Sequence, residues 1–135
     1  MPGPRPRHRT LRRPCHRHPF ARRAGWQVQG LDFDPQAVAA ARARGLDVLE
    51  GTIKLLSSER ECYDRITLSH ILEHVYDPWD LLADCYRLLK PGGVLWLETP
   101  NIGSNGSSAF GPYWRGLEPP RHLQIFAGQL QHRLA

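Results

Sequence analysis

The chain has 135 residues, of which 41% are hydrophobic, and this composition excludes a fibrous or wholly disordered protein. Its formal charge of +5 arises at the N-terminus, because the first 24 residues hold eight arginines and no acid, whereas the rest carries ten Lys or Arg against thirteen Asp or Glu. No apolar run reaches about 18 residues, the length of a membrane span, and the three cysteines form no C-x-x-C pair. We expect a cytoplasmic protein with reduced thiols and no membrane partner.

Residues 1–19 form an Arg/Pro-rich segment with prolines at positions 2, 4, 6, 14 and 19. Each proline removes a backbone donor and disfavours helix in the residue before it. We therefore predict a disordered tail over 1–19 and one domain over 20–135. The arginines of the tail raise an alternative function, a non-catalytic nucleic-acid-binding protein. The tail has almost no interleaved aromatics, so this is the weaker hypothesis.

The first strand and helix of the domain are predicted after a short helical piece that ends at Gly25. Apolar residues begin a strand at Trp26, and this strand ends at Asp32. A helix follows, because Asp34 and Pro35 are typical of a helix start and Gly45 of a helix end.

Three more strands and a second helix complete the pattern. Short apolar runs predict strands over 46–51 and around 66–68. Asp77-Pro78 starts a helix with one apolar stripe, which the turn 90–93 ends, and the apolar strand 94–100 follows. Strands that alternate with helices and are apolar throughout predict an α/β, doubly wound, mostly parallel Rossmann-like sheet covered on both faces.

In such a sheet, ligands bind beyond the carboxyl ends of the strands. The residues at these positions are Asp32, Gly51-Thr52, Ser69-His70 and Thr99–Asn101. Asp32 could accept hydrogen bonds from both hydroxyls of a ribose, or it could be a turn residue at the strand end.

Three segments carry a resemblance to a known family: "GWQVQGLDFDPQAVAAARARG", "YDRITLSHILEHVYDPWDLLADCYRLLKPGGVLWLETPN" and "FGPYWRGLEPPRHLQIF". Together they resemble class I S-adenosylmethionine-dependent methyltransferases over residues 20–135. The resemblance implies S-adenosylmethionine as cofactor and a small-molecule acceptor that is methylated on oxygen or nitrogen. The cofactor-binding residues that it implies are Asp32, Phe33, Gly51, Thr52, Ile53, Ser69 and His70.

The segment "SHILEHV" also contains the H-x-x-E-H order of a zinc protease in His70, Glu73 and His74. A protease would need one sustained helix here, but the motif directly follows a strand. Ubiquinone-type O-methyltransferases, which resemble this segment, hold a divalent ion with E-x-x-E-H. His70 replaces the first glutamate and suits magnesium poorly, so we predict no metal.

We take His70, His74 and His122 as candidate catalytic residues, with the trio 70, 73 and 74 forming a pocket wall. His122 could accept the proton of a substrate hydroxyl, because a histidine titrates near working pH. Equally, Glu73 and His74 could only cap a helical turn, and His122 could bond a loop carbonyl.

The family's glycine-rich cofactor loop has no counterpart, since Gly3 is the only glycine before Gly25. We therefore expect the central first strand to be absent, together with the final strand pair after residue 135. Such a chain would be an incomplete methyltransferase with impaired activity, and a misassigned start or a reading-frame change near residues 15–20 would explain it.

Overall fold

The computed structural model of the chain describes residues 9–12, 23–101, 103–110 and 112. Within these residues, five strands form one sheet in the order β3-β2-β1-β4-β5, and all neighbouring pairs are parallel. The predicted α/β, doubly wound architecture is confirmed. The strands are β1 (Arg9–Arg12), β2 (Gln27–Asp32), β3 (Asp47–Glu50), β4 (Tyr63–Ser69) and β5 (Leu89–Glu98).

The two helices that the sequence predicts at Asp34-Pro35 and Asp77-Pro78 begin at these residues. In α1 (Pro35–Ala43), the Asp34 side chain accepts a hydrogen bond from the Gln36 N–H, and in α2 (Pro78–Leu88) Asp77 accepts one from the Asp80 N–H. Among the described residues there are also a helix, α3 (Asn105–Phe110), and two single 3-10 turns, Ile53–Leu56 and Leu72–His74. None of the helices in the described part of the chain has the length and apolar character needed to cross a membrane.

The central position of the sheet is occupied, which corrects our expectation that the first strand is absent. Arg9–Arg12 pairs in parallel with β2 on one side and with β4 on the other. This stretch lies between Pro6 and Pro14, so each of its residues has a backbone N–H to donate. Backbone pairing there satisfies the inner edges of two neighbouring strands, whose unpaired groups would each cost roughly 1 to 3 kcal/mol. The predicted disorder is therefore wrong for residues 9–12, and the rest of 1–19 lies outside the described residues.

The core lies mainly on the face of the sheet that α2 covers. Ile66 and Leu68 of β4 pack there with Cys85 and Leu88 of α2. On the other face α1 covers β2 and β3, where Val38, Ala41 and Val48 form a smaller cluster.

One edge of the sheet departs from the prediction that every strand is covered on both faces. Leu95 and Leu97 of β5 pack against the main core, but Val94 is 41% exposed and Trp96 is 44% exposed. The apolar character of β5 therefore indicates burial on one face only, within the described residues.

The turn Lys90–Gly93 ends α2 as predicted but belongs to β5, which begins at Leu89. Tyr63 is in register with Leu89 and Arg65 with Val94, so five steps along β5 match two along β4. The extra residues form a bulge in which Gly92 has φ +74°.

Candidate functional site

From β1 the chain adds β2 and β3 on one side of the sheet and β4 and β5 on the other. In open parallel sheets the carboxyl edge beside such a point is where a ligand cleft lies, and we call this place the cleft. Arg12, the last residue of β1, is in register with Gly30 of β2 and Thr67 of β4. The two neighbours of β1, strands β2 and β4, each continue for two further residues, to Asp32 and Ser69. Two strand spacings place these ends about 10 Å apart. Ligands of open parallel sheets bind at such a switch point.

Asp32 forms one side of this cleft and is held in place by the backbone. Its side chain is buried, and Oδ1 accepts a 3.0 Å hydrogen bond from the Asp34 N–H. Its carbonyl oxygen accepts a 2.8 Å hydrogen bond from the Gly51 N–H. This second bond joins the end of β2 to the end of β3. Phe33, which lies between β2 and α1 in the chain, is exposed.

Gly51 has a backbone conformation that other residues rarely adopt. Its φ is +139°, and a Cβ there would lie 2.7 Å from Leu55 Cδ1. Thr52 next to it is exposed, whereas the Ile53 side chain is buried in the main core. Of the predicted cofactor residues on this loop, Ile53 can therefore contribute only its backbone.

Ser69 and His70 form the opposite side of the cleft, at the end of β4. The Ser69 hydroxyl donates to Glu98 Oε2 at 2.8 Å, and the His70 N–H donates to the Glu98 carbonyl at 2.8 Å. His70 has φ +53°, a conformation that few non-glycine residues adopt. The His70 side chain is 56% exposed, so this anchored residue presents its ring to solvent at the cleft edge.

Glu73 lies behind both histidines of "SHILEHV" and is 1% exposed. Its Oε1 is 3.3 Å from His70 Nδ1 and 3.9 Å from His74 Nε2, while Oε2 accepts a 3.0 Å hydrogen bond from the Thr99 hydroxyl. The sequence indicated only a cap or a pocket wall. The partner of the buried carboxylate, Thr99, is 26 positions away, and the only local signal was an acid between two histidines.

The protease interpretation fails on local structure, because Leu72–His74 is a single 3-10 turn rather than a sustained helix. Within residues 9–12, 23–101, 103–110 and 112, no group of three or more His, Cys, Asp or Glu side chains is arranged to hold a metal ion. His122 lies outside the described residues.

A cavity of about 380 Å³ lies at the other end of the sheet, where β5 begins. Arg60, Tyr86 and Lys90–Gly93 contribute to its lining, together with Glu61, Arg87 and Leu89. It includes none of the residues at the carboxyl edge. The cleft at the switch point is therefore a separate feature of the molecule.

The family profile described as "Methyltransferase domain" matches residues 15–97. The chain belongs to this family. The resemblance to class I S-adenosylmethionine-dependent methyltransferases is thereby confirmed, and the order of the parallel sheet agrees with it.

Relatives and solved structures carry the same description. A ubiquinone biosynthesis O-methyltransferase from Xanthomonas oryzae pv. oryzae is 37% identical over 86 residues, which cover 58% of this chain and 36% of that protein. A probable S-adenosylmethionine-dependent methyltransferase from Mycolicibacterium smegmatis is 35% identical over 77 residues, or 56% of this chain and 30% of that protein. The chain thus spans about a third of the length of these curated relatives.

A solved S-adenosylmethionine-dependent methyltransferase from Archaeoglobus fulgidus has the same fold. It superposes with a TM-score of 0.71 at 24% identity, over 90% of this chain and 56% of that one. The residues that close the strands suit the cofactor of this family: Asp32 supplies a buried carboxylate, and Gly51 a backbone without a Cβ.

Proposed function

We propose that the protein is an S-adenosylmethionine-dependent methyltransferase that methylates an oxygen or nitrogen of a small molecule. One observation carries the proposal: a buried carboxylate, Asp32, and an anchored, exposed histidine, His70, flank the switch point of a parallel sheet. Family membership supplies the class of chemistry. The name of the Xanthomonas relative supports an oxygen acceptor.

Asp32 binds the ribose of the cofactor in this proposal. A carboxylate has two acceptor oxygens, and Asp32 is fixed by the bonds to Asp34 and Gly51 before any ligand arrives. Phe33 and the loop Gly51–Ile53 lie alongside the adenine, with Ile53 acting through its backbone. Ser69 and His70 face the methionine portion from the end of β4.

The bound cofactor supplies an electrophilic methyl group on a sulfonium. The protein has to hold the acceptor atom in line with that methyl group. Such alignment of the two reactants accounts for much of the rate acceleration in transfers of this kind. We place His70 and His74 on the acceptor side of the cleft. His122 completes the set as the group that takes the acceptor's proton.

We expect a small-molecule acceptor and a cytoplasmic location, the latter because Cys62 and Cys85 are free thiols. The alternative, nucleic-acid binding through an arginine tail, gains no support. Arg9 and Arg12 belong to the central strand of the sheet rather than to an extended arm.

Isothermal titration with S-adenosylmethionine, and separately with duplex DNA at two salt concentrations, tests both functions. We expect saturable cofactor binding that Asp32→Asn weakens about ten- to hundredfold, because the amide keeps the bond to Asp34 but loses a charged acceptor. Asp47→Asn, at the exposed start of β3, is the matched control and should leave affinity within about twofold. Absence of cofactor binding together with salt-dependent DNA binding would reverse the assignment.

A further inference from the structure

Glu73 is a buried acid whose carboxylate oxygens contact polar side chains. Its side chain is 1% exposed, and its two oxygens face His70, His74 and Thr99. A carboxylate is costly to bury unless it is hydrogen-bonded, so a leucine at this position would be expected from packing alone. The position therefore calls for an explanation in terms of what the carboxylate holds.

The contact between Glu73 and His70 concerns which of the two side chains donates the hydrogen. With Glu73 ionised, its carboxylate only accepts hydrogen bonds, and the 3.3 Å contact between His70 Nδ1 and Glu73 Oε1 then places the hydrogen on Nδ1. A neutral imidazole has a single N–H, which leaves Nε2 as an acceptor. The backbone of His70 is fixed independently, by its N–H bond to the Glu98 carbonyl.

We propose that Glu73 is a positioning residue that fixes the tautomer of His70, so that His70 Nε2 accepts a hydrogen bond from the O–H or N–H of the methyl acceptor. The inference rests on the proposed function for the place of the acceptor, but the tautomer itself is a property of the free protein. The exposed ring then orients the acceptor's lone pair toward the methyl group. Thr99 holds the second oxygen of Glu73 and so keeps the carboxylate turned toward His70.

Nitrogen-15 NMR of the imidazole rings in the free protein measures the tautomer directly. The chain has seven histidines, and the spectrum of His70→Gln identifies the His70 signals by their loss. We expect the wild-type His70 ring to be protonated at Nδ1 in its neutral form. A ring protonated at Nε2 in the wild type would overturn the proposal, whether or not any variant folds.

Three variants separate positioning from a structural role. Glu73→Gln keeps a carbonyl oxygen for Nδ1–H and should retain the tautomer, whereas Glu73→Leu should release it to the Nε2–H form. Thr99→Val removes the hydrogen bond that keeps the Glu73 carboxylate turned toward His70, and it should shift part of the population to the Nε2–H form. An unchanged His70 spectrum in a folded Glu73→Leu protein would contradict the proposal.

In steady-state kinetics, the loss of Glu73 should affect the reaction with the acceptor more than the binding of the cofactor. We expect Glu73→Leu to lower kcat or raise the acceptor KM by roughly ten- to hundredfold. Cofactor affinity should change less than about threefold, because the backbone of His70 beside the cofactor stays bonded to the Glu98 carbonyl. Glu73→Gln should recover most of the activity. If the cofactor fails to bind the wild type, the proposed function fails and the tautomer result stands; if the cofactor binds and wild-type His70 is protonated at Nε2, only this inference fails.

Discussion

The hydroxyl of Thr99 donates a 3.0 Å hydrogen bond to the buried carboxylate of Glu73, which joins the end of β5 to the turn after β4. This bond crosses between two strands whose ends form one wall of the cleft. The position of the carboxylate beside His70 therefore depends in part on Thr99, whereas the His70 backbone is held by Glu98. The bond from Thr99 thus links the stability of the fold to the geometry of the site.

Thr99→Val tests that link, because valine keeps the branched shape and removes the hydroxyl. We expect a loss of about 1 to 3 kcal/mol in the free energy of unfolding, since a buried carboxylate loses a donor. Urea denaturation measures it. Thr67→Val is the matched control on β4, where the structure records no side-chain hydrogen bond among the described residues, and should change stability by less than about 0.5 kcal/mol.

Gly51→Ala should affect both stability and cofactor binding. The added Cβ would meet Leu55 at 2.7 Å in a backbone conformation unsuited to alanine, at a cost of about 1 to 3 kcal/mol. Because the Gly51 N–H bonds to the Asp32 carbonyl, a shift there moves the proposed ribose ligand, and we expect at least about tenfold weaker binding.

Gly45→Ala provides the control for backbone strain alone. Gly45 has φ +73° at the end of α1, with no atom within 4 Å of an added Cβ. Alanine there should cost about 1 to 2 kcal/mol and leave cofactor affinity unchanged. Equal losses of affinity in both variants would show that Gly51 has no special part in the cleft.

Asp84 makes the stability of the α2 region pH-dependent. Burial raises the pKa of this carboxyl. The hydrogen bonds and the positive charges of Lys54 and Arg87 lower the pKa by more than burial raises it, so the pKa of Asp84 falls below the ordinary 3.8. The side chain is 14% exposed, with Asp84 Oδ2 2.7 Å from Lys54 Nζ and Oδ1 3.0 Å from Arg87 Nη2.

Since the folded-state pKa is depressed, the ionised pair stabilises the fold fully above the unfolded value of about 4 and is lost as the pH falls through the folded value. Asp84→Asn should therefore cost about 1 to 3 kcal/mol at pH 7 and progressively less below pH 4. Urea denaturation at pH 7, 5 and 3 measures the difference. A cost that is the same at all three pH values would contradict this assignment.

The cysteines should differ in reactivity. Burial and, to a smaller extent, the negative charge of Asp84 raise the pKa of the Cys85 thiol to about 12. Cys85 is buried, whereas Cys62 is half-buried. Because the thiolate is the nucleophile, Cys85 should react with iodoacetamide at least about a hundredfold more slowly than Cys62 in the native protein. Mass spectrometry of a Cys15→Ser protein measures both rates, and urea should equalise them. Comparable native rates would contradict the burial of Cys85.

Local sequence signals predicted α1, α2 and most strands, but not α3. Asp34-Pro35 and Asp77-Pro78 place caps at helix starts, and these signals act within a few residues of the chain. The central strand was missed because Arg9–Arg12 has the composition of a solvated tail. Its pairing is imposed by the open edges of β2 and β4, which are distant in sequence.

The site was predictable only in part, for the same reason. Asp32 and His70 follow strands, and position alone selects them. Glu73 could not be recognised as the centre of a hydrogen-bonded group, because its burial and its bond to Thr99 arise from the packing of β4 against β5. The core position of the Ile53 side chain likewise depends on tertiary contacts.

The most direct test of the central claim, that the cofactor lies at the switch point beside β1, is an NMR map of amide shifts on addition of S-adenosylhomocysteine. We predict the largest shifts at Asp32–Asp34, Gly51–Ile53 and Ser69–His70. The largest shifts at Glu61 and Lys90–Gly93, which line the cavity at the other end of the sheet, would contradict it.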